Sequence, residues 1–514
     1  MMRPETVAGE DGGEIGRVRT GVPGLDAVLG GGFLRGGLYM IQGPPGLGKT
    51  ILASQVIYAG ASDGGRALFI SVLGENHGRM MLHLRPMQFF DETRIPDQVT
   101  YINVGRTLED DGLPGLLTLI SREVLSRKAD FLVLDGMSAI EAEGGGAASA
   151  TKRFTHAMET LASSTACTML LLTSTVGVMD SPEHTMVDGI IELRQHTLGS
   201  RTERRLLVRK MRGSNFLEGE HSFRITRDGV IVFPRVEALL AMPTRREPPP
   251  RTRLSSGVAS LDGMFGGGIP EATITGLVGP SGAGKTTLGL HFLSGSNADE
   301  PGLLFGCYEP PERLHYKAAM MGWNLAAAEE RGEVEVIWNP MGEYILDELA
   351  YRLLDAVRRR GVKRLVIDGM AGFQQAALEP ERIVRFWSVL ANELRALGVT
   401  TLHTMELQEL AGPNVRMPLG GIGSLAEVMV LVRYVELRSR LFRLISLFKV
   451  REGAFDPTIR EFTISDAGVV VGEPFAGVEA VLSGMAREIA RDKATGLLGN
   501  SNLGAPEDGT GQPR

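Results

Sequence analysis

Cysteine is nearly missing: Cys167 and Cys307 are the only two in 514 residues, and both sit inside apolar runs. That weighs against a disulfide or a thiolate metal site and predicts two buried thiols, which suits a reducing compartment. Long hydrophobic runs are missing too. No stretch approaches the roughly 20 residues needed to span a bilayer, and the opening MMRPETVAGEDGGEIG has no hydrophobic signal core. The expectation is a cytoplasmic protein with no membrane partner. Positive charge is short as well, with 54 Lys and Arg against 61 Asp and Glu for a formal net charge of -7. With no zinc-finger spacing and no basic arm, this balance weighs against a chain that wraps nucleic acid.

Glycine is in excess, at 66 residues, and the informative ones fall in two matching runs. These are GPPGLGKT from Gly43 to Thr50 and GPSGAGKT from Gly279 to Thr286, each entered from a short apolar run and left through a helix-like one. In such a loop Gly43, Gly46 and Gly48, or Gly279, Gly282 and Gly284, remove Cβ atoms so that backbone N–H groups close around phosphate oxygens. Lys49 or Lys285 neutralises the β/γ charge, and Thr50 or Thr286 offers its hydroxyl to Mg²⁺, with Thr287 as a further ligand-binding position. The helix that follows adds N-terminal partial positive charge. Two nucleoside triphosphate sites are expected.

Laid on itself, the chain repeats. Asp26 in GVPGLDAVLGGGF answers Asp262 in GVASLDGMFGGGI, Lys49 answers Lys285, Asp135 answers Asp368, and Lys210 answers Lys449, in one order and at a near-constant offset. The period is far longer than a solenoid unit, so each copy is expected to be a whole domain with its own core. The expected organisation is a disordered tail at 1–16, a first domain at 17–240, a Pro-rich linker at 241–252, a second domain at 253–485 and a partly disordered tail at 486–514. Within each half, short apolar runs such as LYMIQ, ALFISVL, FLVLD and TMLLLT alternate with longer amphipathic ones. This predicts an α/β fold with a mostly parallel sheet, helices on both faces, and a C-terminal antiparallel extension of closely spaced strands. The phosphate loop then lies at the carboxyl ends of the strands.

Three residue pairs could carry chemistry around these loops. Asp135 and Asp368 each end an apolar run and precede Gly-Met, where an aspartate either supports Mg²⁺ through water or caps the next turn; the repetition favours the metal. Glu75 and Glu309 follow the next strand at similar offsets from Lys49 and Lys285, where a carboxylate can orient or deprotonate an attacking water or stand as a solvated charge. Lys210 with Arg212, and Lys449 with Arg451, place two cations at i and i+2 on a strand, hence on one face. They meet either solvent or a phosphate; if the terminal strands lie far from their own loop, that phosphate belongs to a neighbouring subunit.

With these residues in hand the chain resembles the KaiC family of tandem RecA-like ATPases. The resemblance covers both halves in register from about Arg17 to Gly484, through GGGFLRGGLYMIQGPPGLGKT, LRQHTLGSRTERRLLVRKMRG, SSGVASLDGMFGGGIP and VRYVELRSRLFRLISLFKVR. It implies two RecA-like domains, ATP with Mg²⁺ held between subunits of a homo-hexameric ring, slow hydrolysis, regulatory protein partners, and serine/threonine autokinase activity in the second domain. Some positions depart from the family pattern. Where two adjacent glutamates are usual, the first half reads Gly74-Glu75-Asn76 and the second Glu309-Pro310, leaving one carboxylate in each. Gly423-Ser424 aligns with the phosphorylated pair of the clock member, so Ser424 is either a single remaining acceptor or a turn serine. The run after Arg451, EGAFDP, also differs from the Arg212-Gly213-Ser214 of the first half. Two other expectations stand beside the ring ATPase: a signalling scaffold cemented by ATP with little turnover, and a RecA- or helicase-like DNA-dependent ATPase, which the acidic charge weighs against.

Overall fold

Strand Leu38–Gln42 is buried at every position, which a strand can be only in the middle of a sheet covered on both faces. The computed structural model describes residues 16–475 except 73–76, 144–147, 175–184, 243–251, 408–420, 438, 452 and 466–467, with the short strands Val478–Glu479 and Arg487–Glu488 beyond. Most of the expected linker at 241–252 and nearly all of the expected tails at 1–16 and 486–514 lie outside the described residues.

The first half builds one nine-stranded sheet in the order Val99–Asn103, Ala67–Ser71, Phe131–Asp135, Thr168–Thr173, Leu38–Gln42, Gly189–Leu198, Arg201–Met211, Glu220–Thr226 and Gly229–Phe233. The first six strands run parallel and the last three pair antiparallel. The second half repeats this order: Val334–Trp338, Gly302–Gly306, Arg364–Asp368, Thr400–Glu406, Ile274–Gly279, Val428–Leu437, Arg440–Val450, Arg460–Ser465 and Gly468–Pro474. These are two tandem α/β domains with mostly parallel sheets, as the alternation of runs predicts, in the RecA-like form that the family resemblance implies.

Because side chains alternate along a strand, each sheet feeds two cores. Phe69, Phe131 and Val133 pack with Leu52, Val56 and Ile57 of helix Lys49–Ser62. Leu68, Ile70, Leu132 and Leu134 face the opposite core, against Leu116 and Ile120 of helix Gly105–Arg127. Alternation therefore points Ser71 and Asp135, the last residues of their strands, to the face covered by helix Lys49–Ser62. Cys167 and Cys307 are free and buried. Among the described residues no helix is long and apolar enough to cross a membrane.

The halves are joined by a buried polar contact. Val236 and Leu240, from the end of the first half, sit in a hydrophobic cluster of the second. The Val236 backbone N–H donates to Asp347 Oδ1 at 3.0 Å, and Arg382 donates to that oxygen and to both oxygens of Glu237 at 2.6–2.7 Å. Arg224 pairs with Glu348 at 2.8 Å, and Arg205 with Glu379 at 2.7 Å.

Candidate functional site

Each phosphate loop is a turn that only glycine permits at its end. Gly48 adopts φ +94 and Gly284 φ +100, and a Cβ at either would lie 2.5 Å from the Cδ1 of Ile225 or Ile464. Gly46, at φ +80, has no atom within 4 Å of the place a Cβ would take, so the loop presents an open backbone face there. The turn brings Lys49 Nζ back to donate to the carbonyls of Gly43 at 2.6 Å and Pro44 at 3.0 Å. Lys285 Nζ does the same to Gly279 at 2.8 Å and Pro280 at 2.7 Å. Burial lowers the pKa of both ammonium groups, opposed by Asp135 at the first site and by Glu406 and Asp368 at the second.

The aspartates lie where strand order brings them. Thr50 Oγ1 donates to Asp135 Oδ2 at 2.9 Å, and Thr286 Oγ1 to Asp368 Oδ2 at 2.9 Å. Asp368 also accepts from Thr404 Oγ1 at 2.7 Å. Its burial pushes the carboxyl pKa up, and the two threonine hydroxyls oppose that. An open glycine backbone, an ammonium, and a hydroxyl bonded to a carboxylate are the donor and acceptor types that a triphosphate with Mg²⁺ requires. The residues fit that group in both halves.

At the second site these groups line a cavity of about 350 Å³, together with Thr287, Tyr308, Glu309, Lys317 and Glu406. Glu309 is ion-paired to Lys317, with its other oxygen buried and without a hydrogen-bond partner. Thr404, Glu406, Lys317 and Tyr434, whose hydroxyl donates to Gly282 O at 2.8 Å, are site residues that motif spacing does not reveal. Thr404, Glu406 and Tyr434 lie on the two strands that flank the loop strand, and Lys317 on helix Pro311–Met320, which packs against the helix that follows the loop; both placements require the fold. Glu75 lies outside the described residues. Ser71 pairs with Asp135 and Gly306 with Asp368, so along the sequence Glu309 follows its paired strand residue by three and Glu75 by four.

Lys210, Arg212, Lys449 and Arg451 stand at the other end of each sheet. Lys210 pairs across from Ile190 and Lys449 from Met429, near the starts of strands that run parallel to the loop strands. The loops leave from the opposite ends. In both halves one extra residue, Arg209 or Phe448, bulges out immediately before the lysine. Lys210 Nζ and Arg212 both donate to Thr185 O, at 3.0 and 2.7 Å. Lys449 Nζ donates to Gly423 O at 2.9 Å and Ala426 O at 2.6 Å, and Arg451 to Ser424 O at 2.6 Å. Ser424 is exposed in the short helix Ile422–Leu425, its hydroxyl donating to Gly421 O at 2.6 Å.

A family model described as "ATPase: KaiC" matches this chain twice, over residues 18–237 and 254–475. Relatives include the circadian clock oscillator protein KaiC of Picosynechococcus sp., 25% identical over 498 residues that cover 94% of this chain and 95% of that one. Two more are KaiC 1 of Synechocystis sp. and KaiC of Synechococcus elongatus, each 24% identical over 497 residues and 94% of both chains.

Proposed function

The chain belongs to the KaiC family of ATPases, and from that premise we propose that it binds ATP with Mg²⁺ in both halves, hydrolyses it slowly, and assembles into a hexameric ring whose joints hold the nucleotide. The observation that carries this is the paired lysine–threonine–aspartate constellation, built with the same partners in each half. Lys49 and Lys285 neutralise the β- and γ-phosphates as the loop glycines present their N–H groups, and Thr287 is a further ligand contact in the second loop. Thr50 with Asp135, and Thr286 with Asp368, are the residues that would hold Mg²⁺, the hydroxyls as ligands and the carboxylates in support. When bound, the ion draws charge from the β- and γ-oxygens. Glu75 and Glu309 orient the attacking water or hydroxyl.

Lys210 and Arg212, and Lys449 and Arg451, stand at the sheet ends opposite their own loops, so in a ring each pair would reach the next subunit's phosphates rather than those of its own loop. The same geometry supports Ser424 as a phosphoryl acceptor, because Arg451 and Lys449 grip the turn that carries it. The output of such a ring is signalling or clock-like regulation through protein partners. With the first site disabled by Lys49→Ala, Glu309→Gln is expected to keep ATP affinity within about twofold while lowering turnover by at least about tenfold. Unchanged turnover removes Glu309 from the mechanism. A second reading, an ATP-cemented scaffold with little turnover, is favoured by the Lys317–Glu309 pair, which holds the carboxylate back from water. Nucleotide-dependent assembly with near-zero turnover selects it.

A further inference from the structure

Strand Thr400–Glu406 runs parallel to the second loop strand, and its last residue, Glu406, stands in register with Gly279, the first glycine of the loop. The next N–H, of Leu407, donates to Gly279 O at 3.1 Å. Lys285 Nζ donates to that same carbonyl at 2.8 Å. The backbone that follows Glu406 and the phosphate-binding ammonium therefore meet at one atom, and the Glu406 side chain lines the cavity that holds Lys285, Thr286 and Asp368.

The other carboxylates of this cavity are engaged: Glu309 by Lys317, and Asp368 by the hydroxyls of Thr286 and Thr404. Glu406 is exposed, and its carboxylate has no hydrogen bond or ion pair to any described residue. The first half differs at this point. Gln42 pairs with Thr173, so the residue opposite Gly43 is Ser174, an exposed serine whose N–H is bonded to Ser138 Oγ at 3.2 Å. One loop faces a carboxylate and its copy faces a hydroxyl.

We infer that Glu406 makes the second site bind ATP more weakly than the first and discriminate against the γ-phosphate, a deepening that rests on the nucleotide-binding reading above. A carboxylate beside Lys285 shares the ammonium that the phosphates need, and it repels the charge that ATP carries beyond ADP. Being exposed, it acts through a solvent-screened interaction of moderate size that declines with added salt.

The test measures equilibrium binding of ATP and ADP, each with Mg²⁺, to the full-length chain, using Lys49→Ala to isolate the second site and Lys285→Ala to isolate the first. Glu406→Gln, close to isosteric at an exposed strand tip, is expected to tighten ATP at the second site about tenfold and ADP by clearly less. The reciprocal Ser174→Glu is expected to weaken ATP at the first site by a similar factor. Three results overturn the inference: ATP affinity unchanged by Glu406→Gln, ATP weakened by it, which assigns the carboxylate to Mg²⁺, or ATP and ADP shifted equally. Failure of the unmutated sites to bind either nucleotide overturns the underlying reading instead, and this inference with it.

Discussion

His403, three residues before the strand tip at Glu406, is fully buried with neither ring nitrogen hydrogen-bonded, its ring meeting the edge of Trp387. Burial lowers its pKa from 6.5 to about 4. The folded state thus binds the proton less readily than the unfolded chain, so the stability from neutral His403 is present above about pH 6.5 and is lost as the pH falls through about 4. The shift corresponds to about 3 kcal/mol between the protonation states. Strand register puts Leu171 in the matching place of the first half, where it is buried in an apolar core. His403→Leu is therefore expected to flatten the acid loss of second-domain stability between about pH 6.5 and 4 with little effect at about pH 8, as followed by urea unfolding at a series of pH values. An unchanged slope contradicts this account of the residue. Nothing in the sequence marks His403 as buried and unpartnered; a histidine in TTLHTME carries no local sign of it.

At the scale of elements, the runs that end in Asp135 and Asp368 and the loops that hold Lys49 and Lys285 were legible because each signal is local: apolar residues in a row, glycines at fixed spacing. The bulges at Arg209 and Phe448 were not, since a bulge is a relation between two strands and leaves no mark in either alone. Nor was the Arg382 joint legible, because Glu237, Asp347 and Arg382 are far apart in sequence and meet only when helices Leu346–Arg360 and Arg382–Ala396 pack on the end of the first half. That joint makes a prediction at this scale. Arg382→Met leaves the buried Asp347 and the half-buried Glu237 without their cation, so it is expected to cost about 3 to 5 kcal/mol in denaturant unfolding, with part of the loss recovered by adding Asp347→Asn. A loss under about 1 kcal/mol shows that the joint is not a structural element of consequence.

For the whole molecule, duplication was the most informative property of the sequence, because it turned single residues into pairs that could be compared. The structure extends that comparison to partners: Ile225 with Ile464 behind the loops, Thr50–Asp135 with Thr286–Asp368, and one bulge before each cation pair. It also separates the halves, with Ser174 opposite one loop and Glu406 opposite the other. The account's central claim is that both sites are subunit joints, completed by cations that stand at the sheet ends opposite their own loops. Its most direct test is the mass of the assembly, from sedimentation velocity of the full-length chain with and without ATP and Mg²⁺. The account predicts a hexamer with nucleotide, smaller species without it, and failure of the ring when Lys210 and Arg212 are both changed to Ala although each chain still binds ATP; a chain that stays monomeric with both sites filled contradicts it.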